Sequence, residues 1–257
     1  MTILDYGCWD GAFIHTLSRM VEGSRAIGCD VDGDAIASAI ELHGDSVNFF
    51  TVEPGAQPLL PLEDNCVSIA FLCDVLEHLG DGLETAVVAE LARVLAPGGT
   101  LIVTVPHRGA LAWADPENFK FRWPSAHRRV FSWLHGAETY AGRYGDADGH
   151  FGNFSPGARW HRHYSVPELE QLLGRHGLRL EVARHHGLFS PIIFTLLSMT
   201  DRVVSRMGLP TRRVTAPLWS LWRADARLRP GPLSYDVAVR AVKPSVGHIE
   251  RDGSGPH

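Results

Sequence analysis

The sequence predicts an α/β protein in three layers, built on a mostly parallel sheet. Two observations carry that expectation. Short apolar runs alternate with helical patterns at a regular pitch, which places right-handed crossovers between parallel strands. The run from Val67 to Cys73 is apolar nearly throughout, as in a strand covered on both faces.

Taken in order, Ile3 to Tyr6 is the first strand and ends at Gly7. Gly11 to Arg19 has helical spacing, with Phe13, Ile14 and Leu17 on one side. Ala26 to Cys29 is the second strand, ending at Asp30. Asp34 to Leu42 is a helix with Asp34 as its expected N-cap and Gly44 beyond its end. Val47 to Phe50 and Val67 to Cys73 are the third and fourth strands. Glu84 to Leu95 is a helix with Val87, Val88, Leu91 and Leu95 on one stripe, stopped by Pro97-Gly98-Gly99. Thr100 to Val105 is the fifth strand. Ser165 and Glu168 form a capping box for a helix reaching Arg175, closed by Gly177. Leu178 to Ala183 and Tyr235 to Val242 are the remaining strands.

Composition excludes several classes. With 45% apolar and 21% charged residues, the chain is unlike a disordered one. Four cysteines in 257 residues are too few for a disulfide scaffold and fit a reducing cytoplasm. No apolar run reaches the roughly 18 residues of a membrane span, and the start lacks a secretory signal pattern. The net charge of −5 hides a split. Residues 1–105 carry 16 acids against Arg19, Arg25 and Arg93, whereas residues 106–257 carry 21 Lys/Arg and 13 acids. A basic half suits an anionic partner or simply a solvated face. No basic-aromatic nucleic-acid motif stands out, so nucleic acid is not an expected partner.

Asp5, Asp30, Glu53, Asp74 and His107 fall at or just after strand ends, where ligands of parallel sheets bind. A single acid there can be a helix cap; a succession of them points to one crevice. The first turn, Asp5-Tyr6-Gly7-Cys8-Trp9-Asp10-Gly11, lacks the middle glycine of a dinucleotide fingerprint. Its acids repel phosphate and suit a cation. Asp30 stands where an acid holds ribose hydroxyls. A nucleoside with a positive, unphosphorylated tail meets all these demands, and S-adenosylmethionine (SAM) is such a molecule.

Four segments now carry a resemblance. Ile3 to Gly11, Gly28-Cys29-Asp30-Val31-Asp32, Asp74 to Leu79, and Leu91 to Leu101 with its Pro97-Gly98-Gly99 turn stand in the order and spacing of the class I SAM-dependent methyltransferases, which the chain resembles over residues 3–105. The resemblance implies a Rossmann-like sheet of seven strands with an antiparallel last strand. It implies that Gly7, Cys8 and Gly11 line the methionine part of SAM, with Asp5 near its amino group. Asp30 would take both ribose hydroxyls, Glu53 would lie near the adenine amino group, and Asp74 beneath the sulfonium side. His78 would lie near the site or pack at a helix start. Trp9 stands where the family usually has glycine, so its side chain either points away from the cofactor or forms one wall of the pocket. Family members usually carry one or two helices before the first strand; here the start is short or the second half supplies the lid.

Residues 1–244 are expected to form one methyltransferase domain, with 106–164 an irregular or helical insertion on the acceptor side. That insertion holds 12 of the 23 aromatics, including Trp113, Trp123, Trp133 and Trp160. Aromatic walls with interspersed Arg and Asn suit a ring-bearing polar acceptor or pack as a small helical core. Residues 187–230 read as a helical lid or packing segment, a dimer face or a weakly membrane-contacting surface, and 245–257 as a disordered tail. No HExxH or paired CxxC supports a metal, and none is expected. Methyl transfer to a hydroxyl needs a base, for which His163 and His107 are the candidates. The expected function is therefore methylation of a small-molecule hydroxyl on a sugar-containing or aromatic metabolite, by a cytoplasmic monomer or homodimer. The alternatives are N- or C-methylation of a quinone-like, lipid-like or amine acceptor, and SAM binding without catalysis.

Overall fold

A computed structural model describes residues 1–53, 58–110, 112–145 and 160–245. Its elements run β1 (Thr2–Tyr6), α1 (Ala12–Met20), β2 (Arg25–Asp30), α2 (Gly33–His43), β3 (Asn48–Thr51), β4 (Val67–Cys73), α3 (Leu83–Val94) and β5 (Leu95–Pro106). Past β5 come two short 3-10 turns, then α4 (Phe119–Arg122), α5 (Pro124–His135) and α6 (Ala137–Tyr144). The chain returns through α7 (Val166–Gly174), β6 (Arg179–His186), α8 (Ser190–Arg206), α9 (Thr211–Asp225) and β7 (Asp236–Val242).

Among the described residues the strands form one seven-stranded sheet in the order β3-β2-β1-β4-β5-β7-β6. All neighbours are parallel except β7, which is antiparallel to both β5 and β6. The order reverses between β1 and β4, the switch point at which open α/β sheets bind ligands.

Period-two alternation divides the core between two faces. Ile3 and Ala26 pack with Ile14 of α1 and Ile36 of α2. Leu4 and Ile27 point the other way, toward Val87 and Leu91 of α3 and Leu169 and Leu173 of α7. Leu4, Leu72, Leu91 and Leu101 are fully buried, and burial of each such side chain is worth about 1.5–3 kcal/mol. By the same alternation Asp5 shares the Ile3 face, toward α1.

Two local features depart from the sequence expectation. Asp32, not Asp34, caps α2: its carboxylate accepts from the N–H groups of Asp34 and Ala35. Strand β5 starts at Leu95 rather than Thr100, because Leu95 pairs with Val67 before the register shifts around Pro97-Gly98-Gly99. The described residues of the insertion are largely helical, one of the two forms expected. At α7 the expected capping box forms, Glu168 accepting from both the N–H and the hydroxyl of Ser165. The final residues, 246–257, and the side chains of Arg202, Arg206, Arg212 and Arg213 lie outside what is described.

Candidate active site

Asp5 lies opposite Gly28 across the β1–β2 pair. Beyond β1 the backbone folds back at Gly7, with a φ of 83°. There the N–H groups of Gly7 and Cys8 both donate to the Cys29 carbonyl, at 2.7 and 3.0 Å. A side chain at Gly7 would collide with Val75, and one at Gly11 (φ 74°) would meet the Phe49 ring at 2.5 Å. Both glycines are therefore dictated by conformation and by close approach. The loop that results lies beside the switch point of the sheet.

Asp30, at the end of β2, fastens this loop. Its Oδ2 accepts from the Trp9 N–H at 2.9 Å, and its Oδ1 accepts from the Asp32 N–H at 3.0 Å. Each carboxylate oxygen has a second lone pair to offer. Trp9 adopts a left-handed φ of 49°, and its side chain is 58% exposed. The indole thus points outward. Asp10 accepts from the Ala12 N–H and so begins α1.

Asp5 is 3% exposed. Burial, and then repulsion from Asp30, push its carboxyl up to about 7. Burial also raises the Cys8 thiol, with Asp5 and Asp30 adding to the effect, so it stays neutral. Asp74 follows β4 with a φ of 55°, and its Oδ1 accepts from the Thr104 hydroxyl at 2.9 Å. Glu53 is exposed one residue after Val52, whose N–H donates to the Asp30 carbonyl at 2.8 Å. The fit to SAM can be tested on this donor set. Carboxylates on the loop and strand ends suit an ammonium, a sulfonium and ribose hydroxyls, and two glycines keep the backbone clear. The residues fit the group.

A cavity of about 840 Å³ lies beyond the ends of β4 and β5. Leu79, Asp81, Arg108, Trp113, Arg122, Trp160, Arg162 and His163 are among its lining residues. Arg108 is tied to Glu168 at 2.8 Å and Arg162 to Glu84 at 2.8 Å. Arg122 lies over the Trp160 ring, 5.1 Å from its centre.

Behind this cavity is a buried polar cluster. Asp115 Oδ2 lies 2.5 Å from Nδ1 of His161 and 3.3 Å from Nε2 of His163. It also accepts from the Asn118 amide at 3.1 Å, and Tyr235 bonds the same carboxylate. Against the cost of burial, the hydrogen bond and charge of His161 hold Asp115 below the usual carboxylate range. Asn118 in turn grips the His161 backbone through both its N–H and its carbonyl. Burial drives His163 down to about 4 despite the nearby Asp115. The ligand-type atoms of Asp115, His161 and His163 come within 4.8 Å of one another; Asp115 is hydrogen-bonded to His161, whereas His163 Nε2 has no hydrogen-bond partner among the described residues.

Of the two candidate bases, His163 lines the cavity. His107 is packed between the Ser234 carbonyl, 3.3 Å from Nδ1, and the His185 ring, 4.5 Å away centre to centre. His78 is largely enclosed, its ring 5.1 Å from that of His161. Sequence patterns singled out neither Asp115 nor Arg108, Arg122 or Arg162 as site residues. The stretch Asp115-Pro116-Glu117-Asn118 and the triplet His161-Arg162-His163 are separated by more than 40 residues, and nothing local announces their pairing.

Residues 4–103 match the family described as "Methyltransferase domain". The chain is 31% identical over 106 residues to a probable S-adenosylmethionine-dependent methyltransferase of Mycolicibacterium smegmatis, covering 41% of this chain and 38% of that protein. It is 32% identical over 117 residues to the ubiquinone biosynthesis O-methyltransferase of Pectobacterium carotovorum, covering 43% and 45%. The chain spans less than half the length of these curated relatives. Phosphoethanolamine N-methyltransferase 2 of Haemonchus contortus, solved with S-adenosylhomocysteine, shares the fold at a TM-score of 0.56 and 15% identity, over 95% of this chain and 49% of that one. Residues 4–103 are thus similar to methyltransferase domains, one of the relatives being a probable S-adenosylmethionine-dependent enzyme.

Proposed function

We propose that the whole chain is a methyltransferase acting on a small-molecule hydroxyl of a sugar-containing or aromatic compound. One observation carries this: the aromatic, arginine-lined cavity opens at the same end of the sheet as the loop of Gly7, Trp9 and Asp30. Residues 106–164 supply much of its wall, so they act as the acceptor side of a single domain spanning 1–244. Trp113 and Trp160 offer flat faces to a ring, and the Arg108, Arg122 and Arg162 side chains offer donors to its polar substituents. The O-methyltransferase named among the relatives supports an oxygen acceptor. Four free cysteines support a cytoplasmic setting.

SAM supplies an activated methyl group on a sulfonium. The chain's residues do the rest. Asp5 in its ionised form and Asp74 face the cationic portion, and Asp30 orients the ribose. The cavity would position the acceptor hydroxyl, and such positioning is the larger part of this kind of catalysis. With SAM bound as methyl donor, the neutral imidazole of His163 would take up the proton released by the acceptor hydroxyl. Asp115, 3.3 Å from that ring, offsets the cost of charging it.

Incubation with methyl-labelled SAM and panels of phenolic and glycosylated hydroxyl compounds, followed by mass spectrometry, tests the proposal. Label on oxygen is the expected result. Label on nitrogen or carbon overturns the hydroxyl assignment, and SAM binding without transfer to any acceptor overturns catalysis.

A further inference from the structure

We propose that the α8–α9 hairpin is a docking surface for an anionic lipid bilayer. The proposal goes beyond methyl transfer and does not depend on it.

The hairpin is apolar on two sides. Ile193, Leu197 and Val204 of α8 are buried, and α9 is the element α8 packs against most. On the outside, Ile192, Leu196 and Val203 of the same helix share an exposed face, continued by Met207 just past its end, which is 66% exposed. Helix α9 adds exposed Val214, Trp219, Leu221 and Trp222. A surface helix needs only one apolar stripe to bury. Exposed apolar side chains gathered on two adjacent helices mark an interaction site.

The hairpin cannot fold these side chains away. Asp225, at the end of α9, accepts from the N–H groups of Leu188 and Phe189 at 3.1 Å and from the Ser190 hydroxyl at 2.8 Å. This carboxylate staples the last turn of α9 to the first turn of α8. The two helices are thereby held as one unit.

Charge identifies the occupant. Residues 187–230 contain seven arginines and two aspartates. Asp225 is buried in the staple, which leaves Asp201 as the exposed acid of the segment. Arg223, Arg227 and Arg229 are exposed at the end where Trp219 and Trp222 stack edge to face, 5.8 Å apart. Apolar side chains, tryptophans and cations together match the boundary between lipid tails and negative headgroups. A second copy of the chain fits less well, because a two-fold interface sets the same arginine-rich surface against itself. No helix among the described residues is long and apolar enough to cross a membrane, so the contact lies in the membrane plane.

The test is co-sedimentation of the full chain with phosphatidylglycerol-containing vesicles and with pure phosphatidylcholine vesicles. The chain is expected to sediment with the anionic vesicles, and about 1 M salt should release most of it by screening. The triple variant Leu196→Ser, Met207→Ser, Leu221→Ser should lower vesicle affinity by about tenfold or more, with SAM affinity and circular dichroism unchanged. If that variant does not fold, the double variant Arg223→Glu, Arg227→Glu tests the same face and should also abolish the preference for anionic vesicles. Failure of the wild type to sediment, or equal sedimentation of wild type and variants, overturns the proposal. So does a stable dimer in sedimentation velocity that the triple variant dissociates, which assigns the face to a second copy.

Discussion

The backbone N–H of Trp9 donates to the Asp30 carboxylate at 2.9 Å, joining the turn after β1 to the end of β2. Asp30 therefore shapes the loop, and under the proposed function its remaining lone pairs would also take the ribose hydroxyls of SAM. Neither task is separable from the other by deleting the side chain.

Asp30→Ala should lower SAM affinity by about 100-fold, since charge-assisted hydrogen bonds contribute roughly 1.5–3 kcal/mol each. Asp30→Asn keeps an acceptor for the loop and should lose about tenfold. Calorimetric titration with SAM distinguishes the two. Equal losses for both substitutions would place the whole effect on charge.

Trp9 occupies a left-handed φ of 49° that glycine adopts without strain. Trp9→Gly should stabilise the protein by about 1 kcal/mol through relief of that strain, read as a higher denaturation midpoint. Because the indole is exposed, SAM affinity should stay within about twofold, the effect of a change of roughly 0.4 kcal/mol. A large loss of affinity would show that the ring closes over bound cofactor.

Asp5 titrates near 7 in the folded protein because burial penalises its charge. Unfolded, it titrates near its ordinary value of 3.8. Between those values the folded state holds a proton that the unfolded state has released. Its contribution to stability is therefore present at low pH, is lost as pH rises from about 4 to about 7, and stays lost above. A cationic ligand needs the ionised form, so SAM affinity should fall as pH drops below about 7, by up to tenfold per unit. Asp5→Asn should flatten both profiles, which paired titration and denaturation across pH will read.

Asp115→Ala removes the acceptor shared by His161, Asn118 and Tyr235. With these donors left buried, the loss should be about 3 kcal/mol or more in denaturant unfolding. Asp115→Asn should recover part of that stability. If Asp115 also supports His163 as the base, Asp115→Asn should lower turnover and shift its pH profile, with the acceptor KM little changed. A merely structural residue would leave the profile of the surviving enzyme in place.

Much of the first half was legible in the sequence. Apolar alternation at Ile3-Leu4 and Ala26-Ile27 sets which face each strand buries, and Pro97-Gly98-Gly99 marks the end of α3. The acids at strand ends were visible because strand ends can be read locally. Finer choices were not: Asp32 and Asp34 are both competent caps, and backbone geometry selected Asp32.

The second half was legible only as composition. Its aromatics and arginines announced a polar, ring-bearing surface, yet the side chains that line the cavity come from Leu79 to Trp160 and beyond. His163 and His107 are alike as sequence, each just outside a regular element. Their difference arises from what packs on them.

The sequence by itself determined the order of strands and helices, the glycine turns and the acidic loop that suits SAM. These depend on residues close together in the chain, where periodicity and backbone preference act. Tertiary structure alone decided that Asp115 meets His161 and His163, that His107 is enclosed, and that an apolar face of α8 and α9 stays open. Those outcomes depend on contacts between distant segments, whose energies are set by burial and pairing rather than by local pattern.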